Sequence, residues 1–176
     1  GGGNTAVDAA VTAKRAGARD VYLVYRRSFA EMPAWPNERD EALAEGVHFL
    51  ILTQPLGYVT DDEGRLTGLR VASTRLGEPD AGGRRRPEAI PGSERVLPID
   101  MAIEAIGQRP PEGLADWLGG VELDEHGLIK ANSVTMQTSR PGVYAGGDIV
   151  NGGQTVVRAV AEGVKAARAI TAALRP

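Results

Sequence analysis

The chain has 176 residues, no cysteine and only two histidines, and these shortages remove several kinds of chemistry at once. Without thiols, this stretch offers no disulfide, zinc-thiolate site, iron–sulfur ligation or dithiol redox centre. His48 and His126 stand apart, without the spacing of a metal pair, and read as surface or strand-edge residues, so no metal site is expected. No apolar run reaches the roughly 18 residues of a membrane helix, and no signal peptide is visible. Positive charge is not in excess either: the formal net charge is −3, which argues against a general attraction to nucleic acid. Neither a membrane nor a nucleic acid is therefore an expected partner. With 42% hydrophobic and 24% charged residues, the composition is that of an ordinary globular chain. At this length roughly 70% of the unfolded surface can be buried, enough for a real core.

The most informative stretch is the first. Gly1-Gly2-Gly3-Asn4-Thr5-Ala6 runs directly into a small-residue helix. A pyrophosphate must approach main-chain N–H groups closely, which residues without side chains permit. Gly1 is expected to make the turn and Gly3 to let the backbone touch phosphate, with Ala6 small enough for the helix to lie close to the sheet. Asn4 or Thr5 can cap this helix, whose N-terminal dipole favours an anion. Ala6, Ala9, Ala10, Ala13 and Ala16 keep one face slim, and Gly17 is placed to end the helix. Val21-Tyr22-Leu23-Val24-Tyr25 then reads as a buried parallel strand.

At the end of that strand the residue type decides between two nucleotides. An NAD site carries an acid about 20 residues after its glycines, to hold the ribose 2′-hydroxyl. Here Arg26 and Arg27 occupy that place and offer guanidinium donors to a 2′-phosphate instead. The pattern is that of an NADP site. The glycine turn normally follows a first strand, yet residue 1 already lies within the turn, so this chain is expected to be part of a longer one.

Further on, Ser28 to Pro36 reads as a loop, followed by a helix over Asn37–Glu45 that Gly46 ends and a strand over Val47–Leu52. Leu56–Thr60 and Leu66–Thr74, joined at Asp61–Gly64, read as an antiparallel pair within a meander over about 54–96. Gly77 to Pro87, with Arg84-Arg85-Arg86, reads as a charged loop. Leu97 to Gln108 is expected to be a buried strand whose Gly107 admits a ligand to the backbone. Glu104 is either edge-exposed there or close to a nicotinamide. Pro110-Pro111 marks a boundary.

Beyond it, Leu123–Ile129 reads as a hairpin. Pro141-Gly142-Val143-Tyr144-Ala145-Gly146-Gly147-Asp148 gives a turn, a short strand and an acid at its tip, and a last helix runs from about Thr155 to Leu174. Asp148 can accept from a polyol hydroxyl, while the N–H groups near Gln154, Thr155 and Val156 can face an electron-rich ring.

Taken in order, Gly1 to Asp8, Tyr25-Arg26-Arg27, Glu31-Met32-Pro33-Ala34, Gly77-Glu78-Pro79-Asp80, Arg84-Arg85-Arg86-Pro87, Ala105-Ile106-Gly107-Gln108 and Pro141 to Asp148 resemble a known family. The chain is similar to the small, flavin-containing subunit of NADPH-dependent glutamate synthase and its relatives. These include the corresponding domains of dihydropyrimidine dehydrogenase and, more widely, pyridine nucleotide-disulfide oxidoreductase-like proteins. The resemblance implies an α/β, Rossmann-like fold with two dinucleotide sites, present without its N-terminal FAD-binding half and without the first strand of the NADPH domain. Residues 1–108 would form the NAD(P)H-binding domain, and 109–176 the C-terminal part of the FAD-binding domain.

The same resemblance implies a reaction and the residues that serve it. NADPH would reduce FAD by hydride transfer, and electrons would leave through iron–sulfur clusters held in the missing part or by a partner. Gly1, Gly3, Asn4 and Thr5 would lie at the NADPH pyrophosphate, Arg26 and Arg27 at the 2′-phosphate, and Gly107 near the nicotinamide. Gly147 and Asp148 would meet the FAD ribitol, with Gln154, Thr155 and Val156 near the flavin. No general acid or base is expected, because hydride transfer needs none. The protein would be cytoplasmic and would work with a larger synthase or electron-accepting subunit. An exposed sheet edge would make a homodimer plausible. The competing reading is a non-catalytic cofactor-binding or assembly module that docks a larger oxidoreductase subunit, a role that requires neither Arg26-Arg27 nor Asp148.

Overall fold

The computed structural model describes residues 1–79 and 83–175. Asp80, Ala81 and Gly82, within the expected charged loop and the Gly77–Asp80 motif, lie outside the described residues. The chain divides into two compact units, Gly1–Gly107 and Gln108–Pro176.

In the first unit, helix α1 spans Asn4–Arg15 and strand β1 spans Tyr22–Val24. Helix α2 is Pro36–Ala44 and strand β2 is His48–Leu50. The strands pair in parallel, with Tyr22 opposite His48, Leu23 opposite Phe49 and Val24 opposite Leu50. The buried face of α1 is Ala6, Val7, Ala10 and Val11, a stripe at helical spacing that packs with Leu23, Tyr25, Met32, Ala34, Ala42 and Val47. The expected all-alanine face is thus rotated: Val7 and Val11 join it and Ala16 is exposed, because two adjacent i, i+4 rows make one face. Both helices end the same way. Ala18 donates to the Ala13 carbonyl and Val47 to the Ala42 carbonyl, and the reversal uses left-handed Gly17 and Gly46. Helix α2 starts one residue earlier than expected because Pro36 sits at its first position, where a missing N–H costs nothing. In strand β1 Leu23 is buried, Val24 half-buried and Tyr22 exposed on the face opposite Leu23. On that face, Tyr22 and His48 stack with ring centroids 5.2 Å apart.

Four antiparallel strands follow: β3 at Thr53–Thr60, β4 at Leu66–Pro79, β5 at Arg85–Ala89 and β6 at Arg95–Pro98. The long β4 pairs with β3, with β5 along Thr74–Pro79 and with β6 along Gly68–Val71. Two expectations fail here. Gly77–Pro79 and Arg85–Pro87 are strand rather than loop, because β4 and β5 pair antiparallel there, with Leu76 opposite Pro87 and Pro79 opposite Arg85. The expected buried strand at Leu97–Gln108 is strand only to Pro98, and on β6. Met101, Ile103 and Ile106 are 71, 59 and 76% exposed. A buried parallel strand needs neighbours at both edges and cover on both faces, and among the described residues this stretch has no strand partner. Ala105 does pack on the core.

The second unit holds two short helices, α3 at Leu114–Trp117 and α4 at Asp148–Asn151, and the long α5 at Val156–Ala173. Between α3 and α4 the chain is linked by isolated bridges, Leu123 to Ile129, Ala131 to Thr138 and Gln137 to Tyr144. In the first of these turns the Asp124 carboxylate accepts the amides of Leu128 and, with smaller effect, His126, which hold it below the usual carboxylate range. Among the described residues no helix is long and apolar enough to cross a membrane.

Candidate functional site

The glycine turn is built against β1. The Gly1 nitrogen donates to the Val24 carbonyl at 3.1 Å, and the Ala34 amide donates to the Gly2 carbonyl at 3.0 Å. A Cβ on Gly1 would overlap the Ala105 carbonyl, and one on Gly2 would overlap the Tyr25 ring. Packing therefore requires these two glycines. Gly3 differs, since a Cβ there would meet nothing within 4 Å. The turn thus presents an open face at Gly3, with two crowded glycines behind it.

Gly3 is also the N-cap of α1, which corrects the expectation that Asn4 or Thr5 caps the helix. The Asn4 side chain is engaged elsewhere, because its Oδ1 accepts the Trp35 amide at 3.0 Å and ties the start of α1 to the start of α2. Thr5 is exposed. The amides of Asn4 and Thr5 lie in the first helical turn, where intrahelical partners do not exist, and the helix dipole adds partial positive charge. This is an anion-binding arrangement with room at Gly3 for the anion, and it fits a nucleotide pyrophosphate.

Arg26 and Arg27 follow two and three residues after Val24, so the turn that bears them begins where the Gly1 nitrogen touches β1. Arg26 is exposed and Arg27 half-buried. The Arg27 Nε donates to the Arg85 carbonyl at 3.0 Å, and the Arg26 carbonyl accepts the Thr74 hydroxyl at 2.8 Å. Next to them the Ser28 hydroxyl donates to Glu31 Oε2 at 2.6 Å while its oxygen accepts the Ala30 amide at 3.1 Å. The Ser28 hydroxyl, with lesser help from the charge of Arg85, holds the Glu31 carboxyl below its ordinary range.

Gly107 has φ +90 and is exposed, with open space where a Cβ would stand. Glu104 is exposed, on a segment that is not a strand, and accepts the Tyr58 hydroxyl at 2.6 Å, which raises the Tyr58 pKa.

In the second unit, Asp148 opens the four-residue α4 rather than tipping a strand, because Gly147, at φ +78 and ψ −155, turns the chain sharply into that helix. This backbone region is essentially restricted to glycine. The Asp148 side chain is exposed. Thr155 is the N-cap of α5, its hydroxyl oxygen accepting the Arg158 amide at 3.3 Å, and Val156 is 80% exposed at the first helical position. The Gln154 side chain is turned onto α5, where its Oε1 accepts from Arg158 Nη1 at 2.6 Å. One exposed carboxylate beside a helix N-terminus gives an acceptor for hydroxyls and donors for an electron-rich ring edge. This donor set fits a flavin.

The residue that organises this half was not anticipated from the sequence. Glu162, only 6% exposed, accepts the Gly147 amide at 2.7 Å, Asn151 Nδ2 at 3.0 Å and Arg158 Nε at 3.1 Å. The Gly147 amide leads the interactions that hold its carboxyl below the usual range against the opposing effect of burial. A single acid among Val156, Ala159, Val160, Ala161 and Val164, four residues after an arginine, was the available signal. Thr74 was missed in the same way, since a threonine on a strand reads as ordinary β-sheet composition.

Residues 1–163 match the family model described as pyridine nucleotide-disulphide oxidoreductase. The chain is 49% identical over 175 residues to the NADP(+)-dependent formate dehydrogenase subunit beta of Moorella thermoacetica, covering 99% of this chain and 24% of that protein. It is 45% identical over 175 residues to the glutamate synthase [NADPH] small chain of Escherichia coli, covering 97% of this chain and 37% of that one. It therefore spans about a quarter to two fifths of these curated relatives. Among solved structures, the thioredoxin reductase of T. acidophilum superposes with a TM-score of 0.75 at 24% identity, over 98% of this chain and 50% of that one. That likeness establishes a shared Rossmann-like α/β fold.

Proposed function

The chain belongs to the pyridine nucleotide-disulphide oxidoreductase family, and from that premise we propose that it carries the NADPH site and part of the FAD site of a flavin oxidoreductase. Residues 1–108 would form the nucleotide-binding domain and 109–176 the returning part of the flavin-binding domain. The observation that carries this reading is the hydrogen bond from the Gly1 nitrogen to the Val24 carbonyl. It sets the open N-terminus of α1 beside the strand end from which Arg26 and Arg27 emerge.

FAD, when bound, supplies the hydride acceptor for NADPH and stores the two electrons. The work of this chain is to bind and orient. The Gly3 turn and the amides of Asn4 and Thr5 hold the pyrophosphate. Arg26 and Arg27 donate charge-assisted hydrogen bonds to the 2′-phosphate. Gly107 leaves the backbone accessible beside the nicotinamide half. Asp148, on the loop shaped by Gly147, would accept from the ribityl hydroxyls of FAD, and the amides around Gln154, Thr155 and Val156 would supply donors to its ring. Hydride transfer requires no general acid or base among them.

The relatives described as a subunit beta and a small chain support extending a subunit role to this protein. It would deliver electrons to a larger partner through iron–sulfur clusters whose ligands lie outside these cysteine-free residues, in the manner of the glutamate synthase small subunit.

Calorimetric titration of this chain with NADPH and then NADH at low salt tests the nucleotide assignment. Tighter binding of NADPH supports it. Equal affinity for the two removes the 2′-phosphate role of Arg26 and Arg27.

A further inference from the structure

The turn that carries Arg26 and Arg27 is gripped along its backbone by the start of the antiparallel sheet. Three consecutive carbonyls are taken. That of Tyr25 accepts the Thr53 amide at 3.0 Å, that of Arg26 the Thr74 hydroxyl at 2.8 Å, and that of Arg27 the Leu52 amide at 3.0 Å. The Thr74 amide closes the ring by donating to the Leu52 carbonyl at 2.7 Å. Leu52 itself sits at φ +48, a left-handed conformation that a leucine holds only where its surroundings impose it. Thr74 is 4% exposed, so its hydroxyl is held within the packed sheet, and it is the side-chain donor to the Arg26 carbonyl.

The hairpin of β4 and β5 adds a second hold. The Arg27 Nε is committed to the Arg85 carbonyl, and Arg85 in turn donates from Nε to the Gly77 carbonyl at 3.0 Å and from Nη2 to the Leu76 carbonyl at 3.1 Å. A guanidinium is a rigid planar fork. Anchoring it at Nε fixes its plane and leaves its two terminal nitrogens as a parallel pair of donors, the form in which arginine meets phosphate bidentately. An arginine ordered before the ligand arrives loses less conformational freedom when it binds.

We propose that the antiparallel sheet is a nucleotide-specificity device: Thr74 and the Arg85 carbonyl hold the Arg26–Arg27 turn in its phosphate-ready form, which makes Thr74 a positioning residue for the 2′-phosphate. The inference rests on the NADPH reading above. It also gives the meander a role in the binding of NADPH that the binding of NADH does not share.

The experiment is calorimetric titration of NADP+ and NAD+ into the full-length protein and its Thr74→Val, Thr74→Ser and Arg26→Ala/Arg27→Ala variants. Thr74→Val keeps the shape and deletes the donor. It is expected to weaken NADP+ by ~5-fold or more and NAD+ by less than ~2-fold, because only the phosphate contact needs the ordered fork. Thr74→Ser, which keeps the hydroxyl, is expected to bind both nucleotides as the wild type does. If the valine variant does not fold, Thr74→Ala, which also deletes the donor, carries the same expectation. Parallel losses for both nucleotides, or no loss for either, overturn the proposal. If the double arginine variant keeps the wild-type preference for NADP+, the NADPH reading fails and this inference with it. If the arginine variant loses that preference while Thr74→Val keeps it, only this inference fails.

Discussion

Glu162 accepts the amide hydrogen of Gly147 at 2.7 Å, so a carboxylate in the second turn of α5 holds the loop from which Asp148 projects. Asn151, at the end of α4, and Arg158, one turn back along α5, complete its shell. The loop is close-packed as well as bonded, since a Cβ on Gly146 would stand 3.1 Å from the Glu162 Cβ. A buried acid is stable only when its lone pairs are met, and here an amide, a carboxamide and a guanidinium meet them.

Replacing Glu162 with Gln is expected to destabilise the protein by about 2 kcal/mol at neutral pH, the scale of hydrogen bonds to a charged group. The folded carboxyl titrates below its ordinary value, so its contribution is fully present above the unfolded pKa and is lost as pH falls through the lower folded value. Urea unfolding at pH 7 and in steps down through pH 4 checks this. The gap between wild type and variant should close on acidification, and a constant gap would contradict the assignment.

Alanine at both Arg26 and Arg27 is expected to weaken NADPH by roughly 2 to 4 kcal/mol while leaving NADH nearly unchanged, because charged contacts to phosphate are the stronger kind. Steady-state KM values or calorimetry for the two nucleotides decide it. An equal loss for both would sink the 2′-phosphate assignment.

Asp148→Ala is expected to lower the flavin content of the purified full-length protein without unfolding it, since the side chain is exposed at the first position of α4. Absorbance of released flavin per mole of protein, read beside the thermal transition, is the measurement. Full retention of FAD would count against the ribityl contact.

The glycines of the first turn should separate folding from binding. Gly2→Ala drives a methyl group into the Tyr25 ring and should destabilise the first unit, on the order of 1–3 kcal/mol for an overpacked site. Gly3→Ala meets nothing and should cost only the ~1 kcal/mol of a poorer N-cap, yet it places a methyl group where the phosphate would sit. Denaturation curves paired with NADPH titration would show stability falling in the first variant and affinity in the second. Unchanged NADPH affinity in Gly3→Ala would place the pyrophosphate elsewhere.

Several elements are legible in the residues alone. Helix α1 starts at the glycine turn and reverses at Gly17, α2 reverses at Gly46, and Thr155 opens α5, because caps and reversals are fixed by neighbours within a turn or two of chain. The Arg85-Arg86 segment is not legible as a strand, since Arg85 pairs with Pro79 only when β4 is present to receive it. Met101, Ile103 and Ile106 mislead for the converse reason: an apolar run looks like a buried strand whether or not it has a partner. The capping role assigned to Asn4 fails because a distant residue, Trp35, takes its side-chain oxygen.

By itself, the sequence determined which groups this protein can offer a ligand. It provides a glycine turn opening a helix, two arginines after the following strand, an acid after paired glycines, and no thiol anywhere. These depend on side-chain identity and short spacing, which require no knowledge of what lies across the fold. Only the tertiary structure decided how they are held. Thr74 reaches the carbonyl of Arg26, 48 residues away, and Glu162 reaches back 15 residues to the amide of Gly147. A hydrogen bond between such residues exists only once packing has brought them within about 3 Å, and no local pattern encodes that approach.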